Sequence, residues 1–354
     1  MTSKILKTDS IRSHWKTIDP FLICALHVDN YPAGNDELGP APTVINGEVD
    51  HGPVKTPGWS MYYGRKVPGF PAHPHRGFET ITIVRKGVVD HADSLGNSAR
   101  YADGDVQWLT AGRGISHSEM FPLLKRDAPN PFELIQIWLN LPARSKLAEP
   151  SFKMLWAEDI PVLHIQDEAG EVEVRCIAGS PGAALPKPAP TPPVDSWAAT
   201  PDADLAIWTI RLSPGATWTL PPASGTATRR QLFYFQGKSM ALDGQTVDAF
   251  TSVEVACAEP LKLVNGSEVS DLLMLQGSPI GEPVVQDGPF VMNSSEEIRQ
   301  AWADYRQTGF GGWDWPSHNP VHERDRSRFE SRQAQPKVSG SERRILVTIA
   351  DISA

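Results

Sequence analysis

Two short segments carry the residues best able to do chemistry: His73-Pro74-His75-Arg76-Gly77, and Gly114-Ile115-Ser116-His117-Ser118-Glu119-Met120. Each places two good metal ligands two positions apart, and residues i and i+2 of a β-strand point to the same face. His73 with His75, and His117 with Glu119, can therefore each present a ligand pair. Two such pairs on facing strands make a site of three imidazoles and one carboxylate. By ligand type this donor set suits Fe(II), Mn, Ni, Cu(II) or Zn. Four protein donors leave a six-coordinate ion two positions for water, dioxygen or substrate, which distinguishes a catalytic metal from a closed structural one. An isolated His-x-His is usually two ordinary polar strand residues, but two matched pairs within one short stretch are far more specific.

The intervening chain must fold back to bring the pairs together. Thr80 to Arg85 is β-branched and alternating, Ser94-Leu95-Gly96-Asn97 has turn chemistry, and Ala102-Asp103-Gly104-Asp105 is a tight turn before Val106 to Leu109. Short antiparallel strands of this kind can set Glu119 near His73. Glu79 is a rival carboxylate, because His73-x-His75-x-x-x-Glu79 has the spacing of the first motif of cupin barrels. On spacing alone, either Glu79 or Glu119 completes the set. His91 follows a strand and can face the pocket or solvent. Phe70, Phe78, Trp108 and Trp138 can line a pocket for a flat aromatic ligand or serve as barrel core.

The chain of 354 residues is long enough for two substantial cores, and its 32 prolines and 28 glycines point to many turns rather than long helices. A net charge of −9 argues against direct binding of nucleic acid, whose affinity comes from lysine and arginine displacing counterions. Cys24, Cys176 and Cys257 are odd in number and lack ligand spacing, so they read as buried reduced thiols. No secretory or membrane-spanning segment is visible, and a cytoplasmic location is expected. Gly179 to Pro193 is Pro-rich and reads as a loop or linker. Beyond it strand patterns resume at Leu205 to Leu212, Ala216 to Leu220, Gln231 to Phe235, Ser252 to Ala256 and Leu261 to Val264. Thr82 to Gly87 followed by Leu95-Gly96 parallels Leu232 to Gly237 followed by Asp243-Gly244, a weak repeat that predicts two barrels of one type. The second copy has no histidine between His164 and His318, so the metal belongs to the first half.

Ser294-Ser295-Glu296-Glu297 is a capping box, and Ile298, Ala301, Trp302 and Tyr305 share a helical face before Gly309, which predicts a helix over 294–308. His318 and His322 have helical ligand spacing but lie among Pro316, Asn319 and Pro320, so a solvated tail is expected there. Glu323 to Arg344 is mildly basic and reads as solvated too, with Trp313 and Trp315 clamping its start.

The runs HPHRGFETITIV, GDVQWLTAGRGISHSEM, IQIWLNLP at Ile135 to Pro142 and GEPVVQDGPFVMNSSEEI at Gly281 to Ile298 together resemble the pirin family of the cupin superfamily, over roughly Asp19 to Trp315. The resemblance implies an all-β bicupin, two cupin-type β-barrels with a short C-terminal helix and tail. Expected boundaries are a metal-binding barrel at 1–178, a linker at 179–200, a metal-free barrel at 201–315 and a tail at 316–354. It also implies one metal, Fe(II) foremost, with Mn, Ni, Cu, Zn and Co compatible, held by His73, His75, His117 and Glu119. Glu79 then takes a supporting role. The implied activity is ring-cleaving dioxygenation of a flavonol such as quercetin, with Glu119 both ligand and proton acceptor. The alternative is a non-enzymatic, metal- or redox-dependent regulator that binds a transcription factor or a metabolic enzyme. An open metal beside an apolar cavity favours the enzyme, and a site capped by side chains favours the regulator.

Overall fold

The computed structural model describes residues 3–12, 14–41, 54–56, 58–182 and 185–332. Its regular structure is mostly strand, with one α-helix among the described residues, so the chain is all-β as its alternating patterns predict. Contacts divide it into two compact units, one of Met1–Ala25, Ile137–Pro142 and Leu155–Gly281, the other of Leu26–Gln136, Ala143–Met154 and Glu282–Ala354. Neither unit is a single block of sequence. Composition marks where the chain turns but not which strand completes which sheet, and here the sheets are completed by distant segments.

The first unit shows this plainly. Its seven-stranded sheet runs in the order Ile5–Ser10, Thr251–Val255, Arg229–Gln236, Ser270–Gly277, Ala206–Leu212, Gly170–Ala178, Val162–Asp167. Gly170–Ala178 pairs antiparallel with Ala206–Leu212, so the Pro-rich stretch joins neighbouring strands of one sheet. A four-stranded sheet of Thr217–Leu220, Leu261–Asn265, Ser239–Leu242 and Gln245–Asp248 completes the unit. Trp208, Trp218, Leu232, Tyr234, Leu263 and Met274 are buried together in its core. That interior is apolar, as expected of the copy without histidines.

The second unit contains both histidine segments. Its seven-stranded sheet runs Phe329–Ser331, Ser98–Ala102, Val88–Asp93, Ile115–Met120, Gly69–His75, Trp59–Tyr62, Val54–Thr56. In another sheet Phe78–Lys86 pairs with Val106–Thr110. The sequence repeat is also a structural one. Phe78–Lys86, Gly87, Val88–Asp93 and a turn to Ser98–Ala102 match Arg229–Gln236, Gly237, Ser239–Leu242 and a turn to Gln245–Asp248. Phe78 and Trp108 are fully buried and belong to the core. Phe70 is half-buried beside His73, with ring centroids 6.2 Å apart.

The helix spans Ser295–Thr308. Ser294 caps it by accepting from the Glu297 amide, the Glu297 carboxylate accepts the Asn293 amide, and Gly309 ends it in the left-handed region. Ile298 and Ala301 pack with Phe290, Met292 and Phe310. The three cysteines are buried and free. Among the described residues no helix is long and apolar enough to cross a membrane.

Residues 316–332 are not the solvated tail expected from their charge. Phe329–Ser331 adds a strand to the sheet edge at Ser98–Ala102, and the Trp315 indole donates to the Asp93 carbonyl at 2.8 Å. His322 is half-buried against Phe329, whereas His318 is exposed and stacks on Trp313. The arginines that read as a solvated charge run are engaged instead: Arg324 donates to the Leu123 and Leu124 carbonyls, and Arg328 pairs with buried Asp105. The remainder of the predicted tail, 333–354, lies outside the described residues.

Candidate metal centre

Gly69–His75 and Ile115–Met120 pair antiparallel, with His117 directly opposite His73. The register then slips, so Glu119 faces Phe70, and the extra residue falls at Pro71-Ala72. Such a bulge suits proline, which has no amide to give a ladder, and bulges commonly re-aim side chains beside sites. Here the Pro71 carbonyl lies 2.9 Å from His73 Nδ1. A proton on Nδ1 in that contact leaves the Nε2 lone pair available to a metal. His73, His75 and His117 converge, with one ligand atom of each within 4.8 Å of the others. They are the only such cluster of histidine, cysteine or carboxylate groups among the described residues.

His117 is fully buried, and neither of its ring nitrogens has a hydrogen-bond partner. A buried polar group left without a partner costs about 1–3 kcal/mol, and a bound cation would offset that cost. Burial pushes the titration of His73, His75 and His117 below the ordinary histidine range, farther for the last two, and mutual repulsion adds to the shift of His75 and His117. All three are therefore neutral at pH 7, the form that donates to a metal. Three neutral imidazoles with a nearby carboxylate fit a divalent first-row ion.

Glu119 Oε2 lies 3.9 Å from His117 Nε2. Its Oε1 accepts from Thr82 Oγ1 at 3.0 Å and Tyr101 OH at 3.5 Å, and its Oε2 from Gln136 Nε2 at 2.9 Å. The sequence reading did not single out these three partners. Each is an unremarkable strand residue, and only sheet closure brings them to the carboxylate. Glu79 is buried with its Oε1 accepting from Thr110 Oγ1 at 2.7 Å, on the Phe78–Lys86 and Val106–Thr110 ladder. His91 faces inward: it is fully buried, 5.5 Å from the His117 ring centroid, with Nε2 3.4 Å from Asp93 Oδ2.

A second feature missed by spacing arguments is the buttress behind both segments. A side chain on Gly77 would meet the Val291 carbonyl, and one on Gly114 would meet the Phe310 ring, so glycine permits residues 290–310 to pack directly on the backbone beside the histidines. Arg76 pairs with Asp304 of the helix at 2.6 Å. Buried Lys146 donates to the Gly77 and Val291 carbonyls at 2.8 and 3.0 Å, and burial pushes its titration down to about 8.

Residues 53–139 match the pirin domain, and residues 207–311 match the pirin C-terminal cupin domain. The chain belongs to the pirin family. Pirin-1 of Arabidopsis thaliana is 38% identical over 247 residues, covering 69% of this chain and 78% of that protein. A Pseudomonas aeruginosa protein provisionally named as a quercetin 2,3-dioxygenase is 39% identical over 249 residues, covering 68% and 79%. Among solved structures, one described as quercetin 2,3-dioxygenase from Acinetobacter baumannii aligns with a TM-score of 0.66 and 26% identity, over 87% of this chain and 98% of that one. The pirin assignment makes the chain a bicupin of two cupin-type domains, as its repeat predicts. Within it the histidine cluster lies in the matched pirin domain, while Trp208 and Trp218 occupy the core of the other.

Proposed function

We propose that the chain holds one iron ion on His73, His75, His117 and Glu119 and acts as a flavonol dioxygenase of the quercetin 2,3 type. The observation that carries the reading is His117, fully buried with both ring nitrogens unsatisfied, beside two further imidazoles and within 3.9 Å of a carboxylate. The substrate class is supported by relatives and a solved neighbour bearing that name. Bound iron supplies a Lewis acid and a redox-active centre with positions beyond the protein donors.

The chain's own groups do the rest. His73 alone of the three imidazoles is partly exposed, so ligands approach from its side. Thr82, Tyr101 and Gln136 fix the Glu119 carboxylate in one orientation, and a carboxylate so held can take the proton of a substrate hydroxyl at Oε1 or Oε2. Half-buried Phe70 gives a flat apolar surface next to His73.

With Fe(II) loaded, addition of quercetin is expected to start oxygen uptake, bleach the flavonol absorbance and release carbon monoxide; the His75→Ala protein should do none of these. A metal-replete protein that takes up no oxygen across a panel of flavonols would overturn the enzyme reading in favour of a metal-dependent regulator. The carboxylate assignment has its own measurement. Glu119→Gln should lose metal to a chelator faster than Glu79→Gln, because a neutral amide oxygen is the poorer donor to a dication. The reverse order would make Glu79 the ligand.

A further inference from the structure

The first unit carries a small polar cavity that the chemistry above does not use. Lys7 and Gln231 both stand opposite Glu254, and Asp9 stands opposite Ser252, so these side chains share one face of the seven-stranded sheet. Val253 and Leu232 point to the other face and enter the apolar core. Trp15 stacks on Phe233 of the outer face, with ring centroids 5.0 Å apart, and so holds the segment that follows it against the sheet. Between that segment and the sheet lies a cavity of about 40 Å³, whose lining includes Lys7, Asp9, Lys16, Thr17, Gln231 and Glu254. The space is about three times what one water needs.

Two buried polar atoms of this lining, Thr17 Oγ1 and Gln231 Oε1, have no hydrogen-bond partner. Gln231 is only 5% exposed, and its Nε2 donates to the Lys16 carbonyl at 2.9 Å. Exchanging the amide oxygen and nitrogen would set oxygen against oxygen, so Oε1 is an acceptor that requires a donor. The Thr17 hydroxyl has a proton to give. Charge adds a third requirement. Lys7 pairs with Asp9 at 2.8 Å and Arg229 with Glu254 at 2.6 Å, so each carboxylate has its own cation. Lys16 is exposed at the rim, forms no ion pair among the described residues and acts on Asp9 only at longer range. Three cations thus surround two carboxylates, which leaves one positive charge without a match.

We propose that the cavity binds a small oxyanion that retains a proton, with bicarbonate as the type. Its O–H donates to Gln231 Oε1, and its charged oxygens accept from Thr17 Oγ1 and face Lys16. Water can meet both hydrogen bonds but not the charge. Nitrate has the same charge and a similar shape but no proton, so it would bury Gln231 Oε1 without a donor. The site rests on this lining alone and is independent of the dioxygenase reading.

The test follows thermal unfolding of the metal-loaded protein at pH 8 and constant ionic strength, with chloride replaced stepwise by bicarbonate or by nitrate. A ligand of the folded state raises the midpoint according to its affinity. Bicarbonate should bind about tenfold more tightly than nitrate, the size of one well-placed hydrogen bond. Lys16→Met should weaken bicarbonate binding by about tenfold or more, and Thr17→Val by about fivefold; neither removes the Trp15 stack or the Lys16 carbonyl. Gln231→Met should bring the two anions together. If Gln231→Met fails to fold, Lys16→Met and Thr17→Val decide. A midpoint that moves no further in bicarbonate than in chloride means that the cavity holds water only, and overturns the proposal. Equal affinities for bicarbonate and nitrate in the wild type overturn it too. A bicarbonate effect that survives Lys16→Met places the anion elsewhere, the metal included, and does the same.

Discussion

Purified His117→Ala protein will contain little metal, where the wild type contains about one ion per chain. His117 is one of four proposed donors, and the loss of even an outer partner of a metal ligand costs about 10–100-fold in affinity, so removal of the ligand itself should cost more. Alanine also opens a void beside His73 and His75, whose ring centroids lie 4.5 and 5.0 Å from that of His117. Water entering there competes for the ion. Removing an orphaned buried imidazole relieves a desolvation cost in the metal-free state, which offsets part of the cost of the void. His318→Ala is the control, since that ring is exposed and stacks on Trp313, and the substitution keeps the backbone carbonyl that accepts the Ala72 amide. Elemental analysis settles the matter. Full occupancy in His117→Ala, or two ions per wild-type chain, would sink the assignment.

The convergence of His73, His75 and His117 was legible because same-face spacing on a strand is a property of covalent geometry, independent of tertiary context. The turns between the segments implied facing strands with Glu119 near His73, and the ladder instead sets His117 opposite His73 and Glu119 opposite Phe70. The helix was legible for the same reason: its cap at Ser294 and its buried Ile298 and Ala301 are local features. What sequence could not reveal is pairing across long separations. Ile5–Ser10 lies against Thr251–Val255, and no residue in either strand announces the other. Gln136, Tyr101 and Thr82 reach Glu119 only because three separate strands close around it. The segment after Trp315 was misread because charge counting treats arginine as a solvated cation. A guanidinium is also a planar fork of five donors that can organise backbone carbonyls.

Arg100 shows that use of arginine, and its replacement should have the largest effect on stability outside the metal site. Its side chain is buried, with Nε donating to Asp90 Oδ1 at 2.7 Å and Nη2 to Asp90 Oδ2 at 2.8 Å. The remaining donors reach the carbonyls of His322 at 3.0 Å, Glu323 at 2.7 Å and Arg326 at 2.9 Å. All five donors are thereby used, and Asp90 Oδ2 also accepts the His322 amide. Arg100→Met strands a buried carboxylate and frees three carbonyls, a change that should cost about 3–5 kcal/mol of unfolding free energy. Arg100→Lys should recover only part of this, because a single ammonium cannot bridge a bidentate carboxylate and three carbonyls at once. Phe329–Ser331 pairs beside Arg100 in register, so the same variants should become open to protease between residues 316 and 332. Metal content should persist in the folded variants, since Ile115–Met120 keeps its pairing with Gly69–His75, strands that lie inward of the edge where Phe329–Ser331 docks. Unfolding by denaturant within about 0.5 kcal/mol of wild type for Arg100→Met would show that the docked segment contributes nothing to the sheet it covers.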